Sequence, residues 1–328
     1  MRALVVDAAG APLRQALVER PAPGPGEALV RIHASGLNPL DTKIRAGRAD
    51  HARHPLPAVL GIDMAGVVEA VGPGVTEFIP GDEVYGMSGG VGGHQGSLAE
   101  FASVDAELLA HKPRSLTSRE AAALPLVVIT AWEGLVDRAR VQAGHRVLIH
   151  GGAGGIGAVA IQIARARGAV VFATGTAAQQ VLMNGLGATA IDFAATSVEQ
   201  YVEQHTAGEG FDVIFDTVGG ATLDASFGAV RAHTGHVVSA LGWGTHSLAP
   251  LSFRGATYSG IFTLLPLLTG KGRAHHGAIL RMAARLVEDG RLRPVLDPRR
   301  LTWETVSDGF AAIEAGSATG KLVVDIIG

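Results

Sequence analysis

Cysteine is absent from the 328-residue chain, and its absence excludes several kinds of chemistry. The chain can form no disulfide, no thiolate nucleophile and no zinc site built from cysteine. A chain without cysteine is compatible with a reducing compartment. The first ten residues, MRALVVDAAG, contain too short an apolar run for a signal peptide, so we expect a cytoplasmic protein.

Long hydrophobic runs and basic clusters are also missing. No apolar run approaches the roughly eighteen residues that a membrane-spanning helix needs. The formal net charge is −3, and no basic stretch is typical of a nucleic-acid-binding surface. We therefore expect neither a membrane nor a nucleic acid as partner. The 47% hydrophobic content indicates a large buried core, and the length favours two domains.

Glycine, by contrast, is abundant, and several glycines separate two apolar runs in the middle of the chain. Val147–Ile149 predicts a buried strand, and Ala169–Ala173 predicts the next one. Between them, apolar residues recur at helical spacing from Ile156 to Ile163. The stretch from His145 to Thr174 therefore predicts a strand, a glycine turn, a helix and a second strand.

The glycine turn has the G-x-G-x-x-G spacing at Gly152, Gly154 and Gly157. In dinucleotide-binding proteins the first glycine permits the tight turn, the second lets the backbone approach a pyrophosphate, and the third lets the helix pack closely. The helix N-terminus adds unpaired N–H groups and the positive end of the helix dipole. We expect the phosphates at these glycines and at Gly155 and Ile156. The alternative is a glycine-rich turn that binds nothing.

The chain on either side of this stretch predicts the domain organisation. Short apolar runs punctuated by glycine and proline in residues 1–118 indicate a small β-barrel. Strands and helices then alternate, with helices expected near 177–187, 197–206 and 221–232, which indicates a doubly wound parallel sheet. We expect the chain to return to the first domain after residue 264. The fold class is therefore α/β, with one domain formed by 1–118 and 264–328 and the other by 119–263.

Seven short motifs together resemble one protein family. They are Asn38–Asp41 (NPLD), Gly61–Val68 (GIDMAGVV), Gly81–Val84 (GDEV), Thr130–Ala131, Phe211–Asp212, Asp216–Gly220 (DTVGG) and Gly320–Lys321. In order and spacing they resemble the medium-chain dehydrogenase/reductases of the alcohol dehydrogenase superfamily, in the zinc-independent quinone oxidoreductase (zeta-crystallin-like) branch. The resemblance spans essentially the whole chain.

The resemblance implies an architecture and an activity. It implies a GroES-like barrel domain, a Rossmann domain and a homodimer or homotetramer formed through the Rossmann domain. The implied reaction is hydride transfer from NADPH to a quinone or another α,β-unsaturated carbonyl. An enoyl-thioester reductase on the same fold is an alternative, and a non-catalytic NADPH-binding protein is another.

The zinc of related alcohol dehydrogenases is held by cysteine and histidine near these motifs. Here Asn38 occupies the cysteine position and Ile62 the histidine position. An amide and an alkyl chain cannot replace a thiolate and an imidazole on Zn²⁺. We interpret the histidines elsewhere as surface or loop residues, and we expect no metal site.

The resemblance also suggests catalytic residues. Asn38 is expected to donate a hydrogen bond to the substrate carbonyl or to ribose, with Asp41 orienting it. The alternative is that both residues cap a short helix over 39–46. Lys43 is a candidate to polarise a carbonyl oxygen as negative charge develops, or else a solvated lysine. No general acid is evident, and the proton can come from solvent.

The same resemblance predicts the cofactor contacts outside the glycine turn. Thr130 is expected at the nicotinamide end, with an intrahelical hydroxyl as the alternative. The further expected contacts are Thr174, Gly175, Thr176, Gln179, Val218, Leu241 and Gly242.

The choice of cofactor depends on an acidic residue that is missing. NAD-specific Rossmann domains place Asp or Glu at the end of the second strand, where it binds the ribose 2′-OH. No Asp or Glu occurs between His145 and Ile191, so a 2′-phosphate is permitted. The lysine and tyrosine that grip this phosphate in many relatives are replaced by Gln179 or Gln180 and by Phe193. We therefore expect a moderate preference for NADPH, with NADH still usable.

Overall fold

The computed structural model describes residues 1–327 and divides into two compact units. Unit 1 comprises Met1–Leu126 and the chain from Leu264 onward, and unit 2 comprises Val127–Thr263. The sequence places the second boundary at the same residue, but the first between residues 118 and 119. The structure keeps the helix Ser118–Ala122 with unit 1, because this helix packs on four strands there.

Fifteen strands are found within residues 1–327. They are β1 (Arg2–Val6), β2 (Arg14–Leu17), β3 (Glu27–Gly36), β4 (Ala58–Val59), β5 (Asp63–Val71), β6 (Glu83–Met87), β7 (Phe101–Asp105), β8 (Leu109–His111), β9 (Arg146–His150), β10 (Val170–Gly175), β11 (Thr189–Asp192), β12 (Val213–Asp216), β13 (His236–Ser239), β14 (Thr257–Gly260) and β15 (Val323–Asp325).

Eleven α-helices lie in the same part of the chain. They are α1 (Pro39–Arg45), α2 (Ser118–Ala122), α3 (Pro125–Trp132), α4 (Gly155–Ala166), α5 (Gln180–Leu186), α6 (Val198–Thr206), α7 (Ala221–Ala229), α8 (Ala249–Arg254), α9 (Leu265–Thr269), α10 (Arg273–Glu288) and α11 (Val306–Glu314). None of the helices in residues 1–327 has the length and apolarity to cross a membrane.

Unit 1 is built on antiparallel sheets. A three-stranded sheet has the order β2-β1-β4, and a larger sheet has the order β15-β3-β5-β6-β8, with β7 also paired to β3. The last strand, β15, pairs antiparallel with β3, so the end of the chain completes a sheet begun near its start. The chain from Leu264 onward therefore belongs to the same unit as its first 126 residues.

Unit 2 contains one parallel sheet of six strands in the order β11-β10-β9-β12-β13-β14. The chain runs outward from β9 in one direction and then crosses back to β12, which is the Rossmann order. One face of the sheet packs on a core that includes Leu148, Ile214, Phe211 and Phe227. The predicted doubly wound parallel sheet is confirmed.

The parallel arrangement determines where a ligand site can form. Strands that run in one direction bring all their carboxyl ends to the same edge of the sheet, and ligands of such sheets bind there. The glycine turn follows β9, and the segments after β10, β12 and β13 reach the same edge. This carboxyl edge of unit 2 is therefore the candidate position for a cofactor site.

Candidate cofactor site and active site

The glycine turn after β9 leaves its backbone open at one position. Gly154 is the N-cap of α4, no side chain caps this helix, and its first turn carries no acidic residue. A Cβ added at Gly154, which is exposed, would meet only Gly151 O, at 3.3 Å. The protein's own packing does not require glycine here, whereas a pyrophosphate lying against the backbone would.

The other glycines of the motif are required by packing. A Cβ at Gly157 would lie 2.1 Å from Gly151 O, and one at Gly152 would lie 2.6 Å from the Cβ of Ala173. Gly155 and Ile156 open α4, so their N–H groups lie in the first turn, which has no intrahelical acceptors. The turn thus fits the phosphates of a dinucleotide.

The segment at the end of β10 has fewer accessible residues for a cofactor than the sequence suggests. Thr174 is buried, and its hydroxyl lies 3.0 Å from Nδ1 of His150. Gly175 is buried as well, and a Cβ there would lie 2.7 Å from Cε of Met183. Thr176 is exposed, and its N–H donates to Oε1 of Gln179, which is also exposed. Of the four predicted residues, Thr176 and Gln179 are the accessible pair.

A carboxylate that the sequence does not place in the site lies beside this segment. Asp192 at the end of β11 is the register partner of Gly175 at the end of β10. Its Oδ1 accepts a hydrogen bond from the N–H of Ala194 at 3.0 Å. The sequence signal was available, since Asp192 directly follows the acid-free stretch, but only the sheet register shows that it lies next to Gly175.

His150 ends β9, one residue before the turn. It is buried, and burial lowers the pKa of its imidazole to about 4, against a raising influence from Asp216. Its ring is therefore neutral at physiological pH. Within residues 1–327, Nε2 has no hydrogen-bond partner. His150 thus places an unpaired ring nitrogen beside the glycine turn.

Asp216, fully buried at the end of β12, organises the neighbouring loops. Its Oδ1 accepts from the N–H groups of Val218 and Gly219, and its Oδ2 accepts from Oγ of Ser239 at 2.7 Å. Oγ of Ser239 in turn accepts from the N–H of Leu241. These bonds fix the segments that carry two of the predicted cofactor residues.

The predicted contacts after β12 and β13 differ in exposure. Val218 and Gly242 are exposed, and Leu241 is half-buried. A Cβ at Gly242 would lie 2.2 Å from the hydroxyl of Tyr258, so this glycine permits a close approach within the protein itself. All three residues lie at the same edge as the glycine turn.

Thr130, the residue predicted at the nicotinamide end, lies in α3 and is buried. Its hydroxyl is 3.1 Å from the hydroxyl of Thr263, which donates to Oε2 of Glu133 at 2.9 Å. The structure therefore places Thr130 in a short chain of polar groups within unit 2. Its contact with a cofactor stays a prediction.

Three candidate catalytic residues lie in unit 1, around the start of α1. Asn38 is the N-cap, and its N–H donates to Oδ2 of Asp41 at 2.8 Å, so the capping interaction that the sequence offered as an alternative is present. Asn38 and Asp41 are buried, whereas Lys43 on the same helix is exposed. The structure thus brings the first two together and separates Lys43 from them.

The Asn38 side chain is held at both ends by buried charges. Its Nδ2 donates to Oδ2 of Asp63 at 3.0 Å, and its Oδ1 accepts from Nζ of Lys321 at 2.5 Å. Asp63 also accepts from the N–H of Leu126 at 2.8 Å. We call Asn38, Asp41, Asp63 and Lys321 the buried ion cluster.

Burial dominates the electrostatics of this cluster. It raises the pKa of Asp41 to about 7, and the nearby Asp63 carboxylate adds to the rise. Burial also raises the pKa of Asp63, against the opposing attraction of Lys321. The motif Gly320–Lys321 does not by itself indicate a role for Lys321, and the structure shows its partners.

Two family models match the chain. The Alcohol dehydrogenase GroES-like domain matches residues 24–114, and the Zinc-binding dehydrogenase model matches residues 186–324. The chain is 35% identical over 306 residues to the NADPH-dependent alkenal/one oxidoreductase, chloroplastic, of Arabidopsis thaliana, which covers 91% of this chain and 72% of that protein.

Solved structures agree with this relationship. An alcohol dehydrogenase superfamily protein from Novosphingobium aromaticivorans is 56% identical, with a TM-score of 0.97 and complete coverage of both chains. The quinone oxidoreductase from Coxiella burnetii is 26% identical, with a TM-score of 0.84 and coverage of 100% of this chain and 99% of that one.

A GroES-like unit and a Rossmann unit with an open glycine turn define an oxidoreductase fold that uses a nicotinamide cofactor. More particularly, the chain belongs to the medium-chain dehydrogenase/reductase superfamily, in its zinc-independent quinone oxidoreductase branch.

The zinc named in one family model does not fit the residues present. The buried ion cluster offers two carboxylates and an amide, and an ammonium already lies among them. Carboxylates can bind Zn²⁺, but the usual structural and catalytic zinc sites also contain thiolates or imidazoles, and neither side chain is found in the cluster. Residues 1–327 contain no group of three or more His, Cys, Asp or Glu side chains arranged to hold a metal.

Proposed function

We propose that this protein is an NADPH-dependent reductase that transfers hydride to an α,β-unsaturated carbonyl or a quinone without zinc. The observation that carries the proposal is the similarity along 91% of the chain to an oxidoreductase named for NADPH and alkenal/one substrates. The similarity in fold to a quinone oxidoreductase adds the second acceptor class. The open backbone at Gly154 supports the cofactor half of the proposal.

Unit 2 would hold the cofactor at its carboxyl edge. The backbone at Gly154 and the first turn of α4 would bind the pyrophosphate, while Thr176 and Gln179 would face the 2′-phosphate. Val218, Leu241 and Gly242 would border the rest of the dinucleotide, with Thr130 at its nicotinamide end. When bound, NADPH supplies the hydride.

Unit 1 would supply shape and charge to the acceptor. Because both ends of its amide are engaged within the protein, we assign Asn38 a positioning role together with Asp41. Lys43 is the exposed cation on the same helix, and it would polarise the acceptor oxygen as negative charge develops. The proton that completes the reduction would come from solvent.

We propose a moderate preference for NADPH over NADH. The end of β10 carries no carboxylate, which permits a 2′-phosphate. Asp192 lies beside Gly175 in the sheet, and its negative charge would weaken phosphate binding. No basic side chain belongs to the accessible pair Thr176 and Gln179, so the grip on the phosphate would be neutral.

We further propose a cytoplasmic homodimer formed through unit 2. Strand β14 pairs with β13 on one side, and no partner strand on its other side is found within residues 1–327. Phe253 in α8, which precedes β14, is 88% exposed. An edge strand with one open side, preceded by a helix that carries an exposed aromatic ring, favours a second copy of the chain. Light scattering coupled to size exclusion tests this assembly.

A panel of acceptors tests the activity. Purified protein with NADPH is given 9,10-phenanthrenequinone, a simple enone or crotonyl-CoA, and NADPH oxidation is followed by absorbance. The proposal expects turnover of the quinone or the enone, faster than that of the thioester. Preference for crotonyl-CoA would instead establish an enoyl-thioester reductase. Tight NADPH binding without turnover of any acceptor would establish a non-catalytic protein.

A further inference from the structure

Lys321 is a buried lysine whose three N–H donors all have acceptors. It lies just before β15 and is 8% exposed. Its Nζ donates to Oδ1 of Asn38 at 2.5 Å, to the carbonyl oxygen of Leu37 at 3.0 Å and to Oδ2 of Asp63 at 3.3 Å. An ammonium has three donors and no acceptor, so this environment saturates its charged form.

The acceptors of Lys321 determine the orientation of the Asn38 amide. The ammonium donates to the amide oxygen, and the Asp63 carboxylate accepts from the amide nitrogen. A flipped amide would place its N–H group against the ammonium and its oxygen against the carboxylate, so both interactions would become repulsive. Lys321 also bonds the Leu37 carbonyl, directly before Asn38. One cation thus fixes both the side chain and the main chain at the start of α1.

Lys321 carries the one positive charge of the buried ion cluster, beside two carboxyl groups. Asp41 and Asp63 are both fully buried, and Lys321 is the only cationic side chain that bonds either of them among the described residues. A buried carboxylate whose counterion is removed bears the full cost of its desolvation. Lys321 therefore contributes its positive charge to the cluster as well as the volume of its alkyl chain.

We propose that Lys321 is a positioning residue, whose buried ammonium holds Asn38 in the orientation that turnover requires and supplies the cation for the two enclosed aspartates. The part that concerns turnover rests on the proposed reductase function. Lys321 acts through Asn38, and it need not touch the acceptor or the cofactor.

Chemical rescue tests this role. Lys321→Ala removes the ammonium and leaves its oxygen acceptors around a small space. We expect kcat to fall about ten- to a hundredfold, the size of one lost charged hydrogen bond, while the Kd for NADPH stays within about twofold. Methylammonium should restore kcat with a saturable dependence on concentration, whereas methanol should not. Loss of kcat that neither compound changes would contradict the proposal.

A second buried lysine provides the matched control. Lys112 is also in unit 1 and is also 8% exposed, but its Nζ donates to the carbonyl oxygens of Leu116 and Pro113 and lies 3.5 Å from the carboxylate of the exposed Glu83. Lys112→Ala should lower the thermal midpoint without lowering kcat. Lys321→Met keeps the alkyl volume, and full turnover in this variant would overturn the proposal.

A double-mutant cycle tests whether Lys321 acts through Asn38. If it does, Lys321→Ala combined with Asn38→Ala should lose no more kcat than the worse single variant. Fully additive losses would contradict this coupling. A variant that folds poorly is still informative, since methylammonium should raise the thermal midpoint of Lys321→Ala and leave that of the wild type unchanged.

Failure of the proposed function can be told apart from failure of this inference. A wild-type protein that turns over no acceptor removes the proposed function alone. The thermal-midpoint rescue of Lys321→Ala then decides the inference: a saturable rise with methylammonium supports the enclosed cation, and no rise overturns it.

Discussion

The two units enclose their polar groups in opposite ways. In unit 1 the buried ion cluster is closed: Nζ of Lys321 has an acceptor for each donor, and the Asn38 amide is engaged at both ends. In unit 2 the carboxyl edge is open: Gly154 is exposed, α4 has no side-chain cap, and Nε2 of His150 has no partner within residues 1–327.

This difference separates a structural device from a ligand site. A saturated cluster holds its own shape and has nothing left to offer a ligand, whereas unsatisfied donors at a helix N-terminus invite an anion. We therefore expect substitutions in the buried ion cluster of unit 1 to change the stability of the fold, and to change turnover by altering the position of Asn38. Changes at the edge of unit 2 should act on cofactor affinity.

The largest expected effect is the pH dependence that Asp41 gives to unit 1. An ordinary aspartate ionises near 3.8, but burial raises the pKa of Asp41 to about 7. Between these values the folded protein binds a proton that the unfolded chain has lost, so the free energy of unfolding falls as pH rises from about 4 to about 7. The total is on the order of 4 kcal/mol.

Asp41→Asn should remove most of this decline. Urea unfolding is measured at pH 5, 6, 7 and 8. The free energy of unfolding of the variant, relative to that of the wild type, should increase as pH rises. Asp50→Asn, at an exposed aspartate of the same unit, serves as control and should run parallel to the wild type. If the free energy of unfolding of Asp41→Asn instead varied with pH in parallel with that of the wild type, the Asp41 carboxyl would titrate normally and the cluster would not be closed.

His150 should give unit 2 the opposite pH dependence. Its pKa falls from 6.5 to about 4 because the ring is buried. Between these pH values the unfolded chain binds a proton that the folded protein does not bind. The free energy of unfolding therefore falls as pH drops from 6.5 to 4, by on the order of 3 kcal/mol. His150→Asn should flatten this acid limb, and His233→Asn, at an exposed histidine, should not. An unchanged acid limb in His150→Asn would refute the assignment.

Gly154→Asp tests whether the edge of unit 2 is open for an anion. The new carboxylate would stand where we place the pyrophosphate, and we expect NADPH affinity to fall at least about a hundredfold through repulsion. The fold should survive, because a Cβ at Gly154 meets only one carbonyl oxygen at 3.3 Å. Gly154→Ala separates the effect of charge from that of the added carbon. Fluorescence titration with NADPH gives both affinities, and equal affinity for wild type and Gly154→Asp would refute the site.

Thr176→Asp should change the choice of cofactor by a smaller amount. A carboxylate here would repel a 2′-phosphate but spare a ribose hydroxyl, so kcat/KM for NADPH should fall about tenfold more than that for NADH. The sequence alone suggests Gly175→Asp for this test, but a side chain there would press on Met183. Thr176→Asn is the uncharged control. A kcat/KM for NADH at or above that for NADPH in the wild type would overturn the preference itself.

The open edge of unit 2 could be predicted from the sequence because its signals are local. The strand, the glycine spacing and the helix lie within about thirty residues, and each glycine has a role that follows from backbone geometry. The exposure of Thr176 and the burial of Thr174 were not predictable, since the sequence does not show that Thr174 points to His150. Asp192 reaches Gly175 only through the pairing of β10 and β11.

The closed cluster of unit 1 could not be predicted as a unit. Asn38 and Lys321 are 283 positions apart in the chain, and the hydrogen bond between them depends on the whole of unit 1. The sequence did contain one hint, because Asp63 lies within the apolar stretch GIDMAGVV. An aspartate on a buried strand needs a counterion or hydrogen-bond donors. Which residue provides them is tertiary information.

We propose that unit 1 supplies its own cation and that unit 2 binds NADPH, so turnover should need no Zn²⁺, and metal removal tests this. The protein is dialysed against EDTA, its zinc content is measured by elemental analysis, and NADPH-dependent reduction of an enone is assayed before and after. We predict less than stoichiometric zinc and unchanged turnover. Stoichiometric zinc, with activity lost on its removal and regained on its return, would contradict it.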